Sequence, residues 1–187
     1  MDFNHHENYI IGLIEKDRRM MEVLRAARGL DLPDWWLGAG FVRNKVWDTL
    51  HNIGSENAES DVDLIYYDPQ DLSEKAEQDL ELLAYSAKPG VPWSVKNQAR
   101  MHLANGDQPY KSSVDALSQW VETATCVGVK LNNNNELVLA APWGVEDIIK
   151  MRLRPNPHCR RNPQQFILRL NKKQWPTRWP NLEICYE

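Results

Sequence analysis

The stretch that most constrains the fold is WWLGAGFVRNKVWDTLHNIG, residues 35–54. Its first six residues are a short apolar run ending in glycines, which reads as a strand entering a turn. From Phe41 the period changes, with Phe41, Val42, Val46, Trp47 and Leu50 recurring at three-to-four spacing, the mark of an amphipathic helix. A strand, a glycine turn and a helix in that order form one unit of a layered α/β architecture. The rest of the chain continues the alternation. Residues 8–29 carry Ile10, Ile11, Ile14, Met20, Met21, Val23 and Leu24 on a helical period, with Gly29 as the stop. After a polar loop at 54–60, DVDLIYY reads as a strand closed by Asp68-Pro69, since proline cannot continue a ladder. Leu72 to Ala84 reads as a helix, PWSVKNQARMHL (92–103) as a third strand, and SVDALSQWVETA (113–124) as a helix. CVGVKL and ELVLA flank NNNN, a hairpin signal because asparagine tolerates left-handed turns. GVEDIIKMR adds a short helix. The expectation is an α/β (α+β) fold with a mixed sheet flanked by helices. The core spans residues 1–153, and a Pro-, Arg- and Trp-containing C-terminal extension, 154–187, packs on it.

Composition narrows the function classes. The 187 residues, 42% of them hydrophobic, are enough for one substantial core. A net charge of -4, with acids and bases interspersed, gives no general attraction to nucleic acid or anionic membrane. No apolar run approaches the roughly 20 residues that span a bilayer. The N-terminus MDFNHHENY is polar, and Cys126, Cys159 and Cys185 form no zinc or disulfide pattern, so a cytoplasmic setting is expected. Eight tryptophans are many for this length; because a buried indole wants a partner for its N–H, they hint at clefts or rims.

Three constellations carry chemistry. Successive side chains of a strand alternate faces, so Asp61 and Asp63 project together while Val62 and Leu64 face the helices. Two carboxylates so close repel, and a divalent ion relieves the repulsion; Mg²⁺ takes one or two protein carboxylates and leaves its other positions to water and phosphate. The plain alternative is a solvated strand end. The turn Gly38-Ala39-Gly40 lets backbone approach a ligand, and the first turn of the following helix, with Arg43 and Asn44, offers donors to an anion. The alternative is a tight turn that serves packing. Third, WSVKNQARMH crowds donors, Lys96 and Asn97 among them, into a stretch able to contact nucleotide, or else into an ordinary polar surface.

Gly-Ala-Gly followed by Asp-Val-Asp-Leu-Ile resembles the signature of the nucleotidyltransferase (polymerase beta-like) superfamily. WWLGAGFVRNKVWDTLH, DVDLIYYD, WSVKNQARMH, TATCVGVKL, APWGVEDI and RPNP together look like a bacterial nucleotidyltransferase-like family long described as a domain of unknown function, over about residues 35–180. By that resemblance Asp61 and Asp63 match the metal-binding aspartates, and Gly38 to Gly40 match the turn that holds nucleotide phosphates. The superfamily has Gly-Ser or Gly-Gly where this chain has Gly38, Ala39 and Gly40. The superfamily also carries a third acid on the next strand, where this chain reads Trp93, Ser94, Val95, Lys96, Asn97, so that Asp107, Asp115 or Glu136 would have to supply it. The expectation is a Mg²⁺- (or Mn²⁺-) dependent enzyme moving a nucleoside monophosphate from a nucleoside triphosphate to an unknown acceptor hydroxyl. The other reading is a non-catalytic nucleotide- or RNA-binding module whose basic, Trp-containing tail meets nucleic acid.

Overall fold

The computed structural model describes residues 3–54, 61–159 and 163–186; the expected polar loop at 54–60 thus lies, past Gly54, outside the described residues. Helices α1 (Phe3–Glu15) and α2 (Arg18–Arg28) lead into β1 (Trp36–Gly38) and α3 (Gly40–Leu50). Then come β2 (Val62–Tyr66), α4 (Glu74–Ala87), β3 (Trp93–Asn97), α5 (Gln98–Asn105) and α6 (Ser113–Ser118). The hairpin β4 (Gly128–Leu131) and β5 (Leu137–Ala140) follows, then α7 (Glu146–Ile149), β6 (Arg152–Leu153), α8 (Pro163–Lys173), α9 (Trp175–Arg178) and β7 (Glu183–Ile184).

Five strands form one sheet in the order β3-β2-β1-β4-β5. β2 and β3 are parallel, joined through α4, and the other neighbours are antiparallel, so the sheet is mixed as the hairpin required. Alternation divides the sheet faces. Leu37, Leu64, Tyr66, Val95 and Val129 enter the main core with Ile10, Ile14, Leu24, Val42, Val46 and Trp47 from the helices. On the other face Trp36, Ile65 and Ala140 meet Leu117 of α6. Gly38 and Gly128 are register partners under that helix. A Cβ on Gly38 would stand 2.9 Å from Trp120, and one on Gly128 would stand 3.0 Å from Leu117, so both are glycine because α6 and its following turn approach closely.

Each fully buried Leu or Ile side chain contributes roughly 1.5–3 kcal/mol, so the main core is the largest source of stabilisation in the fold. The indoles are satisfied inside it: Trp47 Nε1 donates to the Ile148 carbonyl at 3.0 Å and Trp179 Nε1 to Asp48 at 2.8 Å. β3 is an edge strand, and its outward amides are not left open. Val95 N donates to Glu81 and Asn97 N to Glu77, both on α4, so carboxylates cap the edge where another strand would pair.

Several boundaries differ from expectation, among them α7, which covers only Glu146–Ile149 of GVEDIIKMR. The 8–29 helix is two helices, because Asp17 stands between them as N-cap of α2, accepting from Met20 N at 3.1 Å and pairing with Lys45 at 2.7 Å. The third strand stops at Asn97, whose side chain caps α5 through Ala99 N, so QARMHLAN is helical. The 113–124 helix ends at Ser118. The helix expected from Leu72 begins at Glu74, capped by Ser73, and runs on to Ala87. In the C-terminal segment β7 pairs with β6, and Phe166, Trp175, Trp179 and Leu182 join the main core.

Candidate active site

Asp61 is exposed at the entry to β2 and Asp63 is half-buried within it, level with Ser94 of β3. The two-residue spacing gives both the same face. Burial pushes the Asp63 carboxyl up, and the neighbouring Asp61 charge pushes it further, while Lys173, Arg43 and Arg169 pull the other way. The Asp63 carboxyl therefore sits between the repulsion of a second carboxylate and the attraction of three cations.

The cations come from both ends of the chain. Arg43, in the first turn of α3, is buried, with Nε and Nη2 donating to Asn44 Oδ1 at 3.2 and 2.9 Å. Its guanidinium stacks 5.3 Å from Trp47 and 4.9 Å from Trp175. Burial lowers its pKa to about 10, against the pull of Glu122 and Asp63, so it stays charged at neutral pH. Arg169 of α8 also lies over Trp175, at 5.8 Å, and is gripped by the fully buried Glu122 through Nε at 2.7 Å and Nη2 at 3.2 Å. The segment is tied down once more where Asp48 of α3 accepts from Arg178 Nε and Nη2 at 3.1 and 2.7 Å and from Trp179.

The glycine turn has an uneven division of labour. Ala39, not either glycine, carries the unusual backbone, with φ 44° and ψ -107°. Its amide is taken by the Val127 carbonyl at 2.8 Å, so the amides of Gly40 and Phe41 are those that the start of α3 can offer an anion. Gly38 makes room for Trp120. A hollow of about 90 Å³ lies between α2, the first turn of α3 and the start of β2, lined by Gly40, Phe41, Asn44, Lys45, Asp61 and Val62 among others. The structure thus brings Gly40 and Asn44 to the hollow that Asp61 lines, while Arg43 is near enough to Asp63 to pull its carboxyl down. A far larger groove, about 750 Å³, lies at the opposite end of the sheet, by Trp35 before β1 and Asn132 after β4. Its charged groups are in part already engaged, Lys130 with Asp34 as an ion pair and Arg28 as a donor to the Asn135 side chain.

Lys96 and Asn97 are engaged elsewhere. Lys96 pairs with Glu77 at 3.3 Å, and the Asn97 amide donates to the carbonyls of Asp68 and Asp71 at 2.7 and 2.8 Å while capping α5. The acids considered as a third ligand also have other partners: Asp107 takes the Tyr110 hydroxyl, Asp115 the Lys111 amide at 2.8 Å, and Glu136 the Asn132 side chain at 2.8 Å. Among the described residues no group of three His, Cys, Asp or Glu side chains gathers around one point. Glu122 and Arg169 were not picked out by sequence reasoning. The available signal was a lone acid in the apolar run QWVETATCVGV, which burial obliges to find a cation.

A strand-turn-helix unit that sets an acid pair beside the open amides of a helix start, on a mixed sheet, is the arrangement expected of the nucleotidyltransferase class. A profile of the nucleotidyltransferase family matches residues 25–184, and the chain belongs to that family. It is 36% identical to a protein whose NMR structure is described as revealing a CCA-adding enzyme head domain, with a TM-score of 0.86 and 95% of each chain covered. A tRNA-processing enzyme complex (16% identity, TM-score 0.51) and a CCA-adding enzyme in complex with CTP (14%, TM-score 0.56) share the fold. This chain is covered over 87% and 92% against them, but matches only 43% and 42% of their lengths. A search of curated proteins gave no match. The fold is therefore that of a nucleotidyltransferase head, and among the described residues no helix is long and apolar enough to cross a membrane.

Proposed function

We propose that the chain transfers a nucleoside monophosphate from a nucleoside triphosphate to an acceptor hydroxyl, with Asp61 and Asp63 holding Mg²⁺ or Mn²⁺. The observation that carries this reading is that Asp61 and Asp63 stand at the start of β2, with Asp61 sharing a hollow with the first turn of α3 and three cations near enough to act on Asp63. The donor set fits the ion: two carboxylates in mutual repulsion gain from a cation that completes its shell with water and phosphate oxygens. Bound there, such an ion supplies charge neutralisation at the phosphoryl group and the leaving pyrophosphate. The chain's own part is positioning, which supplies most of what a protein adds to phosphoryl chemistry. The amides of Gly40 and Phe41 and the guanidinium of Arg43 orient phosphate oxygens, and the main core beneath β2 keeps Asp63 from moving. The solved relative in complex with CTP puts CTP among the first nucleotides to try. A cytoplasmic location, where nucleoside triphosphates are plentiful, is part of this proposal.

Calorimetry with ATP, CTP, GTP and UTP, with Mg²⁺ or Mn²⁺, tests it on wild type and on the Asp61→Ala, Asp63→Ala double variant. Metal-dependent binding should vanish in the double variant, and its persistence there would sink the assignment. A second reading, a non-catalytic nucleotide- or RNA-binding module, is favoured by the lack of a third acid beside the pair among the described residues. Against its RNA form, Trp175 and Trp179 are buried and so are not offered as stacking faces. Pyrophosphate release on addition of candidate acceptor RNAs separates the two readings.

A further inference from the structure

Lys173 and Arg169 of the C-terminal helix α8 lie near enough to Asp63 to pull its carboxyl down, and the core alone does not supply these charges. Glu122 is fully buried, and a carboxylate in that setting is stable only when paired. It is paired with Arg169, whose Nε and Nη2 it takes at 2.7 and 3.2 Å, and it also accepts from Thr125 Oγ1 at 2.9 Å. A guanidinium has five N–H donors in a fixed plane. Glu122 occupies one edge of that plane and Trp175 supports a face, at 5.8 Å from ring centroid to guanidinium carbon. The outer edge, with both Nη1 hydrogens, remains, and the side chain is 38% exposed. Lys173 lies one helical turn further on, at the i+4 position that shares a face with Arg169, and is exposed. No ion pair to it is found among the described residues. The ring that supports Arg169 also supports Arg43, so three cations from α3 and α8 are organised about Trp175 and the end of α8.

An arginine locked on one edge and open on the other is a preorganised anion receptor, since the entropy of holding its planar fork is already spent on the Glu122 pair. We propose that Arg169 and Lys173 bind the β- and γ-phosphates of the nucleotide whose α-phosphate lies at Asp61 and Asp63, with Glu122 as the residue that positions Arg169. The inference rests on the nucleotidyltransferase reading of that pair. It makes the site selective for triphosphates: a monophosphate reaches the acid pair and the start of α3 but has nothing to offer α8.

The test is calorimetry of CTP and CMP with Mg²⁺ on wild type, Lys173→Ala, Arg169→Lys and Glu122→Gln, with thermal melts alongside. Lys173→Ala should melt as wild type and weaken CTP binding roughly 10- to 100-fold, the effect of one lost charge-assisted hydrogen bond, with CMP unchanged. Arg169→Lys keeps the charge but loses the fork and should also bind CTP more weakly. Glu122→Gln should lose the preference for CTP over CMP even in preparations that remain folded. If Glu122→Gln or Arg169→Lys fails to fold, Lys173→Ala decides alone. CTP affinity equal to wild type in Lys173→Ala, or an equal loss for CTP and CMP, overturns the inference and leaves the acid pair standing. Failure of the nucleotidyltransferase reading has a different signature, the absence of metal-dependent binding of either nucleotide by wild type, and this inference falls with it.

Discussion

Replacing Glu77 tests how the sheet edge is held. The side chain is 2% exposed and takes four donors: Asn97 N at 2.9 Å, Arg100 Nε at 2.8 Å, Arg100 Nη2 at 2.9 Å and Lys96 Nζ at 3.3 Å. Glu77→Ala strands an edge-strand amide and a largely buried guanidinium, and breaking a buried pair from one side costs about 3–5 kcal/mol. Lys96 is half in water and adds little. Glu77→Gln keeps the volume but turns an NH₂ toward Arg100, for a loss of about 2–3 kcal/mol. With a urea slope of about 2 kcal/mol/M, the midpoint should fall by roughly 1.5–2.5 M for Glu77→Ala and about 1–1.5 M for Glu77→Gln, read by far-ultraviolet circular dichroism.

The pH dependence supplies an internal check on the same residue. Burial by itself raises the Glu77 pKa, but the Arg100 hydrogen bond, the Asn97 amide and the Lys96 charge outweigh it, and the net shift is downward. The folded chain thus holds this proton less readily than the unfolded one. The stabilisation is complete above the unfolded value of about 4.3 and is lost as pH falls through the folded one. The gap between wild type and Glu77→Gln should therefore be constant near neutrality and close below about pH 4. A midpoint shift under about 0.3 M at pH 7 would refute the account, as would a gap that widens in acid.

Two further outcomes follow from contacts near the site. Asp48→Ala removes the acceptor of the buried Trp179 N–H and a bidentate partner of Arg178. Stability should fall by about 2–4 kcal/mol, and trypsin should cut faster after residue 163 in limited proteolysis; an unchanged digestion pattern argues against Asp48 as the tether. Gly38→Val places a side chain where Trp120 stands 2.9 Å from an ideal Cβ. Overpacking of about 1–3 kcal/mol and a shift in tryptophan emission are expected, and an unaltered spectrum and melt would show that the ring yields freely.

The sheet and its acid pair were legible because both depend on local pattern. Alternation in DVDLIYY sent Leu64 to the main core and Asp63 away from it, and the NNNN turn forms the hairpin, with Asn135 at φ 64°. Boundaries governed by side-chain caps were less legible. Asp17 and Asn97 each interrupt an otherwise continuous apolar pattern by taking the amides of a new helix, and periodicity does not register such a bond. The glycine turn was found by composition, but the division of roles was not. Nothing in GAG shows that Trp120, more than eighty residues away, fills the space at Gly38 while Ala39 bears the positive φ. The cations about Asp63 were only half visible. Arg43 is adjacent to the turn in sequence, whereas Arg169 reaches the site through Glu122 and Trp175, pairings that exist only once the tail has docked.

The dependence of the charge cluster on that docked tail gives it a place in time. A chain leaves the ribosome N-terminus first, at about 5–20 residues per second, and Arg169 follows Asp63 by roughly a hundred residues. For several seconds of synthesis the aspartates exist without α8, and Arg43 without the second cation that shares its indole. A nascent or truncated chain therefore carries the acid pair in an incomplete field, and the cluster closes only when the last helices fold back onto α3.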